Sequence, residues 1–139
     1  MSRTFFTDRD LGNSFPERLR DAGIRVEKHA DHFRHDADDA DWLPQVGSNG
    51  WFVLTHDQRM RYRPAERDAI MMANVGLLVL IGKATHAELA ENFVRTLDVV
   101  TRFIDRTPRP FIAKIYRPSP VGSQQPGRVE LRFPARPGR

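Results

Sequence analysis

Hydrophobic positions along the chain alternate between short continuous apolar runs and longer stretches in which apolar residues recur about every 3.6 positions. The continuous runs are rich in β-branched and aromatic residues, which is typical of β-strands. Trp51–Thr55 is the clearest of them, because an unbroken apolar run is characteristic of a buried parallel strand. The five predicted strands are Thr4–Thr7, Ile24–Glu27, Trp51–Thr55, Leu77–Ile81 and Phe111–Tyr116, the last of them as a final, edge strand.

Helix signals lie between these runs. Ser14 with Glu17 and Thr85 with Glu88 have the spacing of capping boxes, in which each side chain bonds a backbone N–H of the other residue. The predicted helices are one from Ser14 to Gly23, a short one over Asp41–Val46, one over Pro64–Ala73, and a long one from Thr85 through Ile104. Residues 29–39 are polar and acidic, which predicts a loop. Strands that alternate with helices predict an α/β fold with a mainly parallel sheet and helices on both faces.

Composition and charge narrow the protein class. The 139 residues, 40% of them hydrophobic, are enough for one domain with a real core. The chain has no cysteine, which excludes disulfides and thiolate metal sites and fits a cytoplasmic location. Its longest apolar run, Val75–Ile81, is far shorter than the roughly 18 residues that a membrane span needs, so we expect no membrane association.

The net charge of +4 belongs mainly to the C-terminal segment. Residues 118–139 contain four Arg and one Glu, together with five prolines and three glycines. We therefore predict a domain over residues 1–117 and a Pro/Arg-rich tail over residues 118–139 that is mostly irregular. Within the domain, an acidic segment over residues 27–41 is followed by an arginine cluster at residues 59–67, which is more informative than the total charge.

Acidic residues follow two of the predicted strands. Asp8 comes directly after the first strand, Asp10 lies two residues further on, and Asp57 follows the Trp51–Thr55 strand. Ligands of parallel sheets bind beyond the carboxyl ends of the strands, so these carboxylates should converge there. Converging carboxylates without His or Cys companions suit Mg²⁺ or Mn²⁺. The alternative is that these residues, and the acids at positions 36–41, only form turns, helix caps and a solvated loop.

Four segments in order resemble one known family. They are Phe5–Gly12, the helix containing Pro16 that ends in Ala22–Ile24, Asp39–Leu43, and Val53–Asp57. Their order and spacing resemble the PIN-like domain family, and more narrowly the compact group associated with VapC-type toxins. The resemblance covers roughly residues 4–83.

The resemblance implies a three-layer α/β/α sandwich around a mainly parallel sheet, and RNA hydrolysis that depends on Mg²⁺ or Mn²⁺. The family's metal-binding acids fall on Asp8, on Asp41 with Asp39 as the competitor, and on Asp57, with Thr55 as a polar helper. Many relatives carry a further Asp two residues beyond Asp57, where this chain has Arg59. Asp10 or another acid of residues 36–41 is the expected substitute. The resemblance further implies a cognate antitoxin and a homodimer.

Other residues have a functional and a plain structural interpretation. A basic segment after Asp57, interrupted by one aromatic residue, is predicted to contact RNA phosphates and a base, with a solvated surface turn as the alternative; it comprises Arg59, Arg61, Tyr62 and Arg63. Trp42 and Trp51 are predicted to lie in the core.

Two rivals to a ribonuclease stay open. One is a degenerate PIN-like module that binds RNA or protein without cutting, suggested by Arg59. The other is a phosphoacceptor receiver-like domain, which would need a lysine after its last strand that Lys83 and Lys114 do not supply.

Overall fold

Strands and helices alternate along most of the chain in the computed structural model, which describes residues 3–57, 63–118 and 124–134. The strands are β1 (Thr4–Thr7), β2 (Arg25–Lys28), β3 (Phe52–Thr55), β4 (Gly76–Ile81), β5 (Phe111–Tyr116) and β6 (Arg128–Phe133). The helices are α1 (Ser14–Asp21), α2 (His29–His32), α3 (Asp39–Ser48), α4 (Pro64–Met72) and α5 (His86–Arg106), with a 3₁₀ helix at Arg9–Leu11 after β1. Within the described residues, no helix has the length and apolar character needed to cross a membrane.

The six strands form one sheet in the order β2-β1-β3-β4-β5-β6. The first five strands of this order are parallel to one another, and β6 pairs antiparallel with β5. β1 lies between β2 and β3, with Phe6 opposite Glu27 on one side and opposite Val53 on the other. The chain therefore adds β2 on one side of β1 and later adds β3 on the other side of β1. This reversal makes the gap between β1 and β3 the topological switch point of the sheet.

Two hydrophobic cores cover the two faces of the sheet, because successive strand residues point to opposite faces. Phe5 of β1 belongs to the core beneath α1 and α5, together with Phe15 and Phe93. Phe6 belongs to the core beneath α3 and α4, which Trp42 and Ile70 supply. The structure thus has the predicted three layers, α/β/α, around a mainly parallel sheet.

The helix predictions hold in most places and fail in three. The capping box of α5 is confirmed, since the Thr85 side chain accepts the N–H of Glu88 and Glu88 accepts the N–H of Thr85. The box predicted at Ser14 does not form, because Ser14 is already inside α1 and the Glu17 carboxylate accepts from Lys28 Nζ at 3.3 Å instead. Part of the predicted loop forms the short helix α2, and α3 begins at Asp39 rather than Asp41.

The prediction of a mostly irregular tail is wrong for residues 128–133. These residues form β6, so that β6 rather than β5 lies at the edge of the sheet. The backbone N–H of Gly127 donates to Thr96 Oγ1 at 2.9 Å and brings the segment against α5. Val129 and Leu131 then pack against the core on that face. The prolines and glycines at residues 118–127 precede this strand. The strand itself has apolar residues at alternating positions, which is typical of a β-strand.

Candidate active site

The switch point of the sheet places Asp8 beside the end of β3. The backbone N–H of Asp8 donates to the carbonyl of Leu54 at 3.0 Å, which continues the pairing of β1 with β3 by one residue. Asp8 also caps the 3₁₀ helix, and its Oδ1 accepts the N–H of Arg9 at 2.7 Å. The Asp8 carboxylate is consequently fixed at the carboxyl end of the sheet, where parallel α/β folds bind their ligands.

Thr55 connects the acids that follow β1 and β3. Its side chain is fully buried, and Oγ1 lies 3.1 Å from Asp8 Oδ2 and 3.3 Å from Asp10 Oδ2. The same oxygen accepts the backbone N–H of Asp57 at 3.1 Å. A hydroxyl has one proton to donate, so Asp8 and Asp10 share a single donor. Two carboxylates and the backbone of a third acidic residue therefore meet at one oxygen atom.

Asp10 is held in this group from a second direction. The backbone N–H of His56 donates to Asp10 Oδ2 at 2.9 Å. Burial, followed by the negative charge of Asp8, raises the pKa of Asp10 to about 6. Burial also raises the pKa of Asp8, against the opposing hydrogen bonds from Arg9 and Thr55, and the charge of Asp57 adds to the rise. The carboxylates are thus close enough to destabilise one another's charged forms.

Asp39, the first residue of α3, interacts electrostatically with the acids that follow β1 and β3. Its pKa is raised by burial and then by the charge of Asp8, with a smaller effect from Asp57, so Asp39 lies within electrostatic reach of both. Asp41 is exposed. Because α3 begins at Asp39 and a helix turns about 100° per residue, Asp41 projects about 200° away from Asp39 around the helix. Of the two candidates named from the sequence, Asp41 and its competitor Asp39, Asp39 is the one whose pKa is affected by Asp8 and Asp57, and Asp41 is exposed.

Positive charge lies beside these acids. The Arg9 guanidinium counteracts the rise that burial causes in the pKa values of Asp8 and Asp39. Arg63, which was predicted to contact RNA, directly precedes α4; its guanidinium is largely exposed and lies 3.6 Å from a Glu66 oxygen. The other predicted RNA contacts, Arg59, Arg61 and Tyr62, lie outside the described residues.

The donor chemistry of the site fits a hard divalent cation. Asp8, Asp10, Asp39 and Asp57 offer only oxygen ligands, and their mutual repulsion is of the kind that a cation relieves. Across residues 3–57, 63–118 and 124–134, however, no group of three or more His, Cys, Asp or Glu side chains is arranged to hold an ion. The type of ligand therefore fits Mg²⁺ or Mn²⁺, whereas the described side chains do not form a closed coordination shell.

Three residues contribute to the site in ways that the sequence analysis missed. Arg9 was not singled out, although it stands between two acids. The backbone N–H of His56 donates to Asp10, and its ring Nε2 lies 2.7 Å from the carbonyl oxygen of Gly82, which links the ends of β3 and β4. Trp42 was assigned to the core, yet its indole N–H donates to Asp39 Oδ1 at 3.1 Å. The spacing of Asp39 and Trp42, three residues apart, was the available signal for this last contact.

Comparison with known families agrees with this architecture. The family model described as PIN like domain matches residues 3–82, which is more than half of the chain. The matched segment runs from β1 through β4 and includes Asp8, Asp10, Asp39, Thr55 and Asp57. Neither the curated proteins nor the solved structures compared with the chain gave a match. With its mainly parallel sheet, its three layers and its acids at the switch point, the chain belongs to the PIN-like domain family.

Proposed function

We propose that this protein is a metal-dependent endoribonuclease that hydrolyses RNA phosphodiester bonds. The PIN-like fold is a nuclease-type fold. The observation that carries the proposal is the contact of Thr55 Oγ1 with the carboxylates of Asp8 and Asp10 and with the backbone of Asp57, at the carboxyl end of the sheet. Turn-forming or capping roles alone would not require these three acids to meet at one buried hydroxyl.

We assign metal binding to Asp8, Asp39 and Asp57, with Asp10 as the adjoining acid. When bound there, Mg²⁺ or Mn²⁺ would neutralise charge on the phosphodiester and promote attack by water. The chain's own contribution is to hold the ligands in place: Thr55 donates to the carboxylates that follow β1, and the backbone of His56 fixes Asp10. The acids are partly desolvated and repel one another. The electrostatic free energy of binding a cation is therefore more favourable at this site than at an exposed group of acids.

Cationic side chains support RNA as the substrate. Arg9 lies next to the acids. Arg63 directly precedes α4, the helix that follows β3 along the chain. Guanidinium groups bind phosphate oxygens with two parallel hydrogen bonds and can offset charge that develops during cleavage. Contacts from Arg59, Arg61 and Tyr62 remain proposals from the sequence. An antitoxin partner, a homodimer, a toxin role and a cytoplasmic location are likewise part of the proposal.

Metal removal tests the proposed activity. Labelled single-stranded RNA of mixed sequence is incubated with the protein and Mg²⁺ or Mn²⁺, with an equal sample in excess EDTA and a DNA of the same sequence as control. We expect RNA fragments only in the samples that contain metal. Without a cation, the negatively charged acids repel the negatively charged phosphodiester, and no metal is present to activate water. Equal cleavage in EDTA would refute the metal-dependent mechanism.

A second candidate function is an RNA- or protein-binding module that does not cut. Two points favour it: Arg59 stands where the family resemblance implies an acid, and within the described part of the chain no group of acids is arranged to hold an ion. RNA binding that is retained with no turnover across Mg²⁺, Mn²⁺ and several RNA sequences would support this candidate over the ribonuclease.

A further inference from the structure

A cleft lies at the amino end of the sheet, opposite the candidate active site. Its centre is formed by Thr4, the first residue of β1, and by Trp51, which directly precedes β3. A cavity of about 680 Å³ lies on the β3 side of this centre and one of about 570 Å³ on the β2 side, and both residues line both cavities. Because a strand rises about 3.3 Å per residue, roughly 13 Å of β1 separates Thr4 from Asp8. This amino-end cleft is therefore distinct from the group of acids.

The Arg109 guanidinium is held in place on the β3 side of the cleft. Its Nη1 donates to the carbonyl oxygens of Gly47 at 3.2 Å and Asn74 at 3.4 Å. The guanidinium carbon lies 5.8 Å from the centroid of the Phe52 ring, and Nη2 faces Gly50, where a Cβ atom would lie 3.8 Å away. Among the described residues, no carboxylate pairs with Arg109 and no acceptor binds its Nε or Nη2. Neutral carbonyl groups therefore fix this cation without neutralising its charge.

Arg20 of α1 is held in a similar way on the β2 side. Its Nε and Nη2 donate to the carbonyl oxygen of Val26 at 3.3 and 2.8 Å. Its nearest ion-pair partner is Asp31, at 3.9 Å, and the Arg20 side chain is exposed. A guanidinium that is already ordered loses little conformational entropy when it binds an anion, which favours binding.

The whole lining of the cleft is positively charged and includes one aromatic ring. Arginines outnumber acids in it, with Arg3, Arg20, Arg25 and Arg109 against Asp105 and Glu27. Trp51 is half-buried, and its ring stacks on Phe6 with centroids 6.0 Å apart at 14°, which keeps it in place between the two cavities. Guanidinium groups on both sides of an aromatic ring suit a single-stranded nucleic acid, whose phosphates bind cations and whose bases stack on aromatic rings.

We propose that the amino-end cleft binds single-stranded nucleic acid, with successive phosphates at Arg109 and Arg20 and a base against Trp51. The inference goes beyond the proposed function, because binding in this cleft requires neither a cation nor cleavage. It places a second contact with the strand at the end of the sheet that lies away from the acids.

Matched arginine variants test the site. The affinity for a labelled single-stranded RNA of mixed sequence is measured by fluorescence anisotropy in EDTA, and thermal unfolding checks that each variant is folded. We expect Arg109→Gln and Arg20→Gln each to weaken binding about tenfold. Each should also lower the slope of log affinity against log salt by about 0.7, the value for one phosphate contact on a single strand. A DNA of the same sequence shows whether the cleft distinguishes RNA from DNA.

Arg18→Gln is the control, because it makes the same charge change on the same helix. Arg18 is exposed and lines a different groove, between α1 and α5. Its replacement should change the affinity less than about twofold.

Tryptophan fluorescence of the wild-type protein locates the bound strand without any variant. The chain has two tryptophans, and Trp42 is fully buried, so acrylamide quenches mainly the emission of Trp51. We expect saturating RNA to reduce this quenching, because a strand in the cleft covers Trp51.

The outcomes separate this inference from the proposed ribonuclease. If Arg109→Gln and Arg20→Gln bind RNA as tightly as Arg18→Gln does, the cleft is not the binding site and the ribonuclease proposal is unaffected. Acrylamide quenching that saturating RNA leaves unchanged, or a wild-type protein that binds no single strand, overturns the inference as well. Weaker binding in both variants together with no cleavage in any metal would support the cleft and refute the ribonuclease.

Discussion

Replacing Asp8 with asparagine is expected to lower the rate of RNA cleavage about 1,000-fold or more, which corresponds to about 4 kcal/mol of transition-state stabilisation. Asparagine keeps the shape of the side chain: its Oδ1 can still accept the N–H of Arg9, and its Nδ2 can donate to Thr55 Oγ1, whose own proton then goes to Asp10. It removes the negative charge at the carboxyl ends of β1 and β3. The proposed cation thereby loses an anionic ligand. The rate is measured under single-turnover conditions with Mg²⁺ in excess.

A loss of activity that is caused by unfolding can be recognised by a lower unfolding temperature. Since burial and the charge of Asp57 destabilise the ionised form of Asp8, Asp8→Asn should unfold at no lower temperature than the wild-type protein. Asp21→Asn is the matched control, because Asp21 is an exposed acid at the far end of α1 and its replacement should leave the rate unchanged. A rate within about threefold of wild type in Asp8→Asn would remove Asp8 from the mechanism.

The second large effect is expected at the start of α3. Asp39→Asn should lower the cleavage rate about 100-fold, whereas Asp41→Asn should change it less than about twofold. The asparagine side chain introduced by Asp39→Asn would still accept the N–H of Trp42, so that the change isolates the carboxylate charge from the hydrogen bond. Asp41 is exposed and projects from nearly the opposite side of the helix, away from the direction of Asp39.

The same single-turnover assay compares the two variants, with metal titrated in each. Extra Mn²⁺ should partly restore Asp39→Asn, because a weakened site fills at higher metal concentration. The reverse order, with Asp41→Asn the more damaging of the two, would return the α3 role to Asp41 and contradict the structural assignment.

The strand-end acids were predictable from the sequence for a simple reason. A parallel sheet brings the carboxyl ends of its strands to one edge. Residues at the ends of the apolar runs therefore become neighbours regardless of the length and sequence of the loops. Asp8, Asp57 and Thr55 are such residues, and the structure places them together. Asp10, which was predicted to converge with them and was also named as the substitute for a missing family acid, shares the hydroxyl of Thr55 with Asp8.

The choice between Asp39 and Asp41 could not be made from sequence, because it depends on where α3 begins. Asp38, Asp39 and Asp41 are all suitable residues for the start of a helix, and a shift of two residues moves an acid to the opposite side. The structure starts the helix at Asp39, which Trp42 anchors from the core. The surroundings of Asp39 therefore include a contact with a buried aromatic side chain, which the local sequence alone does not fix.

The last strand was missed for a different reason. β6 follows a segment rich in proline and glycine and lies beyond the part of the chain that resembles the family. Its place in the sheet depends on a contact between Gly127 and Thr96, which are 31 residues apart. Local composition contains no information on such a pairing, although the alternation of Val129 and Leu131 with charged residues was available as a strand signal.

Anomalous scattering from crystals grown with Mn²⁺ is the most direct measurement of whether these acids share one cation. We expect a single strong peak at the carboxyl end of the sheet, within coordinating distance of oxygens from Asp8, Asp39 and Asp57. A peak at another place on the protein, or carboxylates of Asp8 and Asp57 that face apart with no peak between them at saturating Mn²⁺, would contradict the proposed metal centre.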